Sequence, residues 1–147
     1  MKEMFATIIM AVCAVGLAVT LFFVTGCALI DTDRPGLLTG KVMAVAYFET
    51  QNIPNGDVQA VREAARIAYK ALDLAMSGEP LDGEALIIKA MNDLGVDSIG
   101  LKILALDFYT QAKNRLMIEF PAGLTPEILS NFKAGCDEVI AVYTAEK

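Results

Sequence analysis

Between Glu3 and Asp31 the chain carries no charged residue, and Met4 to Val24 is an almost unbroken apolar run. Beyond it the pattern changes to short amphipathic segments separated by strong breaks. Asp31-Thr32-Asp33-Arg34-Pro35-Gly36 is a polar turn, and residues 28–40 read as a linker. From Lys41 to Gln51, seven consecutive apolar residues (Val42 to Phe48) fit either a buried strand or a helix. Thr39 as a cap and the Met and Ala content favour the helix. Asn52-Ile53-Pro54-Asn55-Gly56-Asp57 ends it. With Asp57 as cap, a helix over 58–77 places Val58, Val61, Ala65, Ala68, Leu72 and Ala75 on one seam at alternating steps of three and four, a close-packing stripe of mostly small residues.

Three more helices are predicted. In the first, about 82–94, Leu81, Ala85, Ile88, Met91 and Leu94 form the apolar stripe, and Gly95 sits where a left-handed C-terminal residue belongs. Asp97 or Ser98 caps the next, which reaches about residue 116. It is apolar nearly all round from Ile99 to Tyr109, so it is expected to be the most buried helix. Leu116 to Phe120 reads as its end or as a short extended piece. Thr125-Pro126-Glu127 is a strong start signal for the last helix, 126 to about 143, with Leu129, Phe132, Cys136, Val139, Ile140 and Tyr143 on one side. The fold class is therefore all-α: a small bundle of four or five short helices behind an N-terminal apolar leader or anchor segment.

Composition narrows the function. The 147 residues include 12 basic and 18 acidic side chains, a net charge of −6, which stays −6 without Lys2 and Glu3. An acidic body without a basic cluster is a poor partner for phosphate backbones, so no nucleic acid is expected. The same balance argues against a polybasic membrane-surface patch. Histidine is absent. That removes the usual neutral-pH base, His-activated nucleophiles and most zinc sites. Cys13, Cys27 and Cys136 give no disulfide framework. Glu79, Asp82 and Glu84 miss the EF-hand spacing and read as helix-start acids. Asp107, interrupting an apolar helix, is expected at a wet edge or paired, with a carboxylate role the less favoured reading. Lys133, Asp137 and Glu138 read as a solvated patch, and Tyr47, Tyr69, Tyr109 and Tyr143 as core-edge residues. Cys136, on an apolar face and without a base, reads as a small hydrophobe. No catalytic residue, cofactor site or metal site is expected, and the chain is not expected to be an enzyme.

The remaining chemistry is at the end of the apolar run. Val24, Thr25, Gly26 and Cys27 match, position by position, an aliphatic residue, a small or hydroxyl residue, Gly or Ala, and Cys. Residues 1–27 thus resemble a bacterial lipoprotein signal peptide with its lipobox; for residues 41–147 no family resemblance is found. The resemblance implies that residues 1–26 are removed by a signal peptidase that recognises Val24, Thr25 and Gly26. It also implies that Cys27 is lipidated, by diacylglyceryl and palmitate-type chains, and that 27–40 link it to a helical extracytoplasmic domain, 41–147. A single acyl chain anchors only marginally, whereas two or more, at about 0.8 kcal/mol per buried CH₂, hold a protein stably. The expected location is the cell membrane or outer membrane, with the domain facing the periplasm or exterior; the absence of Asp at Ala28 resembles the outer-membrane class. The expected partners are membrane lipid, through acylated Cys27, and an envelope protein of unknown identity, in a structural, accessory or exclusion role. The alternative is an integral membrane protein. Met4 to Val24 is 21 residues long, longer than an ordinary secretory apolar region and enough to span a bilayer as an uncleaved helix, used in assembly or lysis.

Overall fold

The computed structural model describes residues 34–51 and 57–145. The chain divides into two units, residues 1–32 and 33–147. The first lies outside the described residues, and with it Val24, Thr25, Gly26 and Cys27. The second is all-α. Among the described residues there are five helices and no strand: α1 (Leu37–Gln51), α2 (Val58–Met76), α3 (Gly83–Leu94), α4 (Ile99–Glu119) and α5 (Pro126–Ala145).

Local chemistry sets most of the boundaries. The Asp82 carboxylate accepts the Ala85 amide at 2.8 Å, Ser98 Oγ accepts that of Leu101 at 3.3 Å, and Thr125 Oγ1 accepts that of Ile128 at 3.2 Å. Each satisfies a donor that the first helical turn leaves without a partner. Gly95 ends α3 in the left-handed conformation (φ 67°), with its own amide on Asn92 O and the Val96 amide returning to Met91 O at 3.0 Å. Asp57 stands at the cap position of α2 but makes no side-chain capping bond. Leu116 to Glu119 continue α4 rather than forming an extended piece.

α1 corrects the boundary placed at Lys41. It begins at Leu37, directly after the Pro35-Gly36 turn, so Thr39 and Gly40 lie inside the helix and Thr39 is not its cap. The reason is packing. Gly36, Gly40 and Ala44 recur every four residues on one buried face, and that face lies against α5. A Cβ added at Gly40 would come within 2.0 Å of Phe132 O, and one at Gly135 within 2.1 Å of Leu37 O. The two backbones therefore touch, the close approach that small residues at four-residue spacing permit. Cys136 Sγ donates to Gly40 O at 3.3 Å and Asn131 Nδ2 to Pro35 O at 3.1 Å. These pairings, with Phe48 stacked on Tyr143 at 4.2 Å, run α1 parallel to α5.

The rest of the core gathers round Phe108 of α4, fully buried. Its ring meets Tyr47 of α1 at 5.1 Å and Tyr69 of α2 at 6.0 Å, edge to face. Such pairs contribute about 0.5–1.5 kcal/mol beyond the area they bury. α2 lies between α3, α4 and α5 and buries Ala64, Ile67 and Ala71 as well as five of its six seam residues; Ala75 is only partly buried. α2, not α4, is the helix with most buried positions. α4 buries Ala105, Phe108, Tyr109, Ala112 and Leu116, but leaves Ile99 79%, Ile118 73%, Ile103 64% and Met117 58% exposed. The phase of α3 also differs from the expected stripe. Leu86, Ile87, Ala90 and Met91 are buried, while Leu81 and Ile88 are exposed.

Candidate functional site

Cys27, which the lipobox resemblance marks for lipidation, and the residues before it lie outside the described residues. Within the domain, the groups that could carry chemistry are the carboxylates, the tyrosines, Cys136 and the residues lining the surface grooves.

The acids near the start of α3 serve three separate purposes. Glu79 pairs with Lys89, Asp82 caps α3, and Glu84 pairs with Lys102 of α4 at 2.7 Å. No group of three or more potential ligands for a metal ion occurs among the described residues. Asp107 is half-buried, and its Oδ2 accepts from Gln111 Nε2, one turn on, at 3.1 Å. It combines the two expected settings: part wet, part bonded.

Polar side chains of α1 and α2 tie both helices to α5. Tyr69 Oη donates to Asp137 Oδ1 at 3.0 Å, Lys133 Nζ reaches Asp73 at 2.6 Å, and Lys41 of α1 pairs with Glu138 at 2.6 Å. Asp137 and Glu138 are exposed, as a solvated patch requires, and together with the half-buried Lys133 they also tie helices together. Ion pairs this exposed contribute roughly 0–1 kcal/mol each, so they set register more than stability. Beside them Gln59, Arg62, Glu63, Arg66, Tyr69 and Asp137 line a groove of about 410 Å³, and Arg66 is held by Glu63 at 3.2 Å.

Cys136 is buried and carries no disulfide. Burial pushes its thiol up to about 12, the Asp137 charge adds to this, and a hydrogen bond with Tyr69 opposes it. The thiol therefore stays protonated at neutral pH. Since the thiolate is the nucleophile, Cys136 acts as a packed apolar group, as its place in the sequence suggests. The Tyr69 phenol is pushed well up, first by burial and then by Cys136 and Asp137.

Tyr47 and Tyr109 are core residues, not core-edge ones. Neither hydroxyl has a hydrogen-bond partner among the described residues. Burial, followed by the charge of Asp107, pushes Tyr47 up to about 12. Tyr109 lines an apolar cavity of about 210 Å³ with Leu72, Met76, Met117, Leu124 and Leu129, and Lys113 lies 5.9 Å from its ring centre. A second groove, about 300 Å³, separates α1 from α4 and is lined by Val42, Met43, Ala46, Asn114, Arg115 and Ile118.

Sequence reasoning missed the exposed apolar residues on α1 and α4. An isoleucine-rich run with scattered polar residues reads as burial on all sides, and the solvent side becomes visible only once α1, α2 and α3 occupy the others. Among the described residues no helix is long and apolar enough to cross a membrane. No protein family, no curated protein and no solved structure matches this chain.

Proposed function

We propose that this chain is a membrane-tethered envelope lipoprotein whose helical domain acts by protein–protein contact rather than by catalysis. The observation that carries the reading is the tetrapeptide Val24-Thr25-Gly26-Cys27 at the distal end of a charge-free run. The Cys27 thiol is the group that takes the lipid, and the small Gly26 before it lets the extended backbone enter the peptidase. The domain is consistent with a binding role. It has no histidine, its cysteine among the described residues is buried and protonated, and Asp82 and Glu84 are engaged in a helix cap and a cross-helix pair. The lipid supplies location, and the helix surface supplies recognition.

Cys27→Ala tests the tether. The variant is expected to keep its leader and lose its lipid. Normal maturation of the variant would contradict the reading. Capture of an envelope protein by the lipidated wild type tests the binding role, and a lipidated protein that recovers no partner would count against it. The second reading, a chain that keeps Met4 to Val24 as a spanning helix for assembly or lysis, is favoured by the 21-residue length of that segment. Under it Cys27→Ala alters little.

A further inference from the structure

Residues of α2, α4 and α5 line one cavity of about 210 Å³, and the buried Leu72, Tyr109 and Leu129 form its floor. Met76 and Leu124, half-buried, and the exposed Met117 stand nearer its mouth. Tyr109, Lys113 and Met117 recur every four residues along α4, so one helix face brings all three to the cavity. Lys113 is exposed, and its Nζ lies 5.9 Å from the centre of the Tyr109 ring. A cation at that distance is attracted by the ring face, so the ammonium is held beside the cavity. The other lining residues are all apolar or aromatic.

Charge distinguishes this cavity from the other grooves. In the groove between α2 and α5, Lys133 is paired with Asp73 at 2.6 Å. Arg62 and Arg66 share theirs with Glu63 and Asp137. Arg115, beside α1, is tied to Glu119 at 3.3 Å. Each of those cations therefore has an anion of the chain at hand. Lys113 makes no ion pair among the described residues, and no carboxylate lines its cavity.

A guest in this cavity meets an apolar floor and a single positive charge. A neutral hydrocarbon leaves the ammonium unused, and a cation is repelled by it. An anion with an apolar body satisfies both. Size sets a limit: an apolar cavity of about 150 Å³ holds benzene, so this one takes a phenyl ring or a short alkyl chain and leaves the charged group at the mouth. Met76 and Met117 are flexible enough to close round either shape. We infer that the cavity binds a small apolar carboxylate, with its hydrocarbon part on Leu72, Tyr109 and Leu129 and its carboxylate on Lys113. A free aryl or alkyl carboxylic acid presents this chemistry, and so does the C-terminal Phe or Leu of a protein chain. The site does not depend on the lipid tether.

Methyl NMR of the full-length protein in detergent, with isotope-labelled methionine, tests it, because a shift at Met76 or Met117 reports this cavity and not partition into micelles. Phenylpropanoate should move both signals, assigned by Met76→Leu and Met117→Leu, with a Kd of about 1 mM. Phenylpropanol and phenylpropylammonium, of equal bulk, should bind at least about five-fold more weakly, the factor an exposed ion pair supplies. Lys113→Ala, at an exposed position, should lower the affinity for phenylpropanoate to that for phenylpropanol and leave phenylpropanol unchanged. Ala75→Leu fills the partly buried edge of the cavity and should abolish the shifts while the circular dichroism stays the same. Equal affinity for the acid and the alcohol, no effect of Lys113→Ala, or no shift well above the expected Kd overturns the assignment. A peptide ending in Phe separates the two sources. Binding tighter than that of phenylpropanoate, and lost in the peptide amide, supports the site with a chain end as ligand. Binding weaker than that of phenylpropanoate supports it with the free acid as ligand. A peptide amide that binds as well as the free peptide overturns it.

Discussion

Gly40 and Gly135 occupy the positions where α1 and α5 touch backbone to backbone. Alanine at Gly135 must move Leu37 O, 2.1 Å from the new Cβ, and alanine at Gly40 must move Phe132 O, at 2.0 Å. Neither neighbour is a flexible side-chain end, so each substitution is expected to cost about 3 kcal/mol, the upper part of the range for overpacking. Gly78 provides the contrast. Its φ is +84°, but nothing lies within 4 Å of an added Cβ, so Gly78→Ala should cost only the left-handed backbone strain, about 1–2 kcal/mol. Urea unfolding of the three variants checks the order. Tyr47 predicts the opposite sign. Its hydroxyl is buried without a partner among the described residues, so Tyr47→Phe removes a desolvated polar group and keeps the ring against Phe108. Stability should rise by about 1 kcal/mol. The raised Tyr47 and Cys136 groups also set a pH dependence. In the folded state both hold their protons to about 12, against ordinary values of 10.0 and 9.0. Above about pH 9 the unfolded chain releases protons that the folded chain keeps, so it binds fewer, and stability falls as pH rises. These two groups contribute no change from neutral pH to about 8 and a progressive loss between about 9 and 12, followed by denaturant midpoint against pH. A midpoint rising through that window would contradict the assignment.

At the scale of the helices, legibility followed the chemistry of ends more closely than the placement of faces. Ser98, Thr125-Pro126 and Gly95 announce boundaries through local hydrogen bonds, which depend on few neighbours, and the structure makes those bonds. Asp57 shows the limit, since a capping residue type at the cap position makes no capping bond there. Asp82→Ala and Ser98→Ala should therefore cost about 1 kcal/mol each, and Asp57→Ala only a few tenths. Thermal melts of the three variants separate these outcomes. Faces were harder to read. On α3 the stripe through Leu81 and Ile88 and the one through Ile87 and Met91 are both apolar, and contact with α2 and α4 selects the second. On α4 apolar residues occur on all sides, so periodicity has no phase to report. The start of α1 was hidden because Gly36 and Gly40 read as a turn and linker. Only the nearness of Phe132 and Ile128 shows glycine serving as a contact surface.

At the scale of the whole molecule, the described residues form five helices with a parallel α1–α5 pair and a core round Phe108, while the clearest chemical signal in the sequence, Val24 to Cys27, lies outside them. The helical architecture was legible because each segment has its own breaks and apolar content. The proposed lipidation site rests on the sequence alone: four adjacent residues, Val24 to Cys27, are read by their chemistry, and they lie outside the described residues. The exposed apolar residues of α1 and α4 were illegible because exposure belongs to the assembled bundle and not to any single helix. Attachment of the chain to the membrane through Cys27 is decided by the intact mass of the protein purified from bacterial membranes with detergent. The expected mass is that of a chain beginning at Cys27 and carrying diacylglyceryl, with or without a further acyl group. A mass corresponding to a chain that still begins at Met1, with Cys27 unmodified, would contradict it.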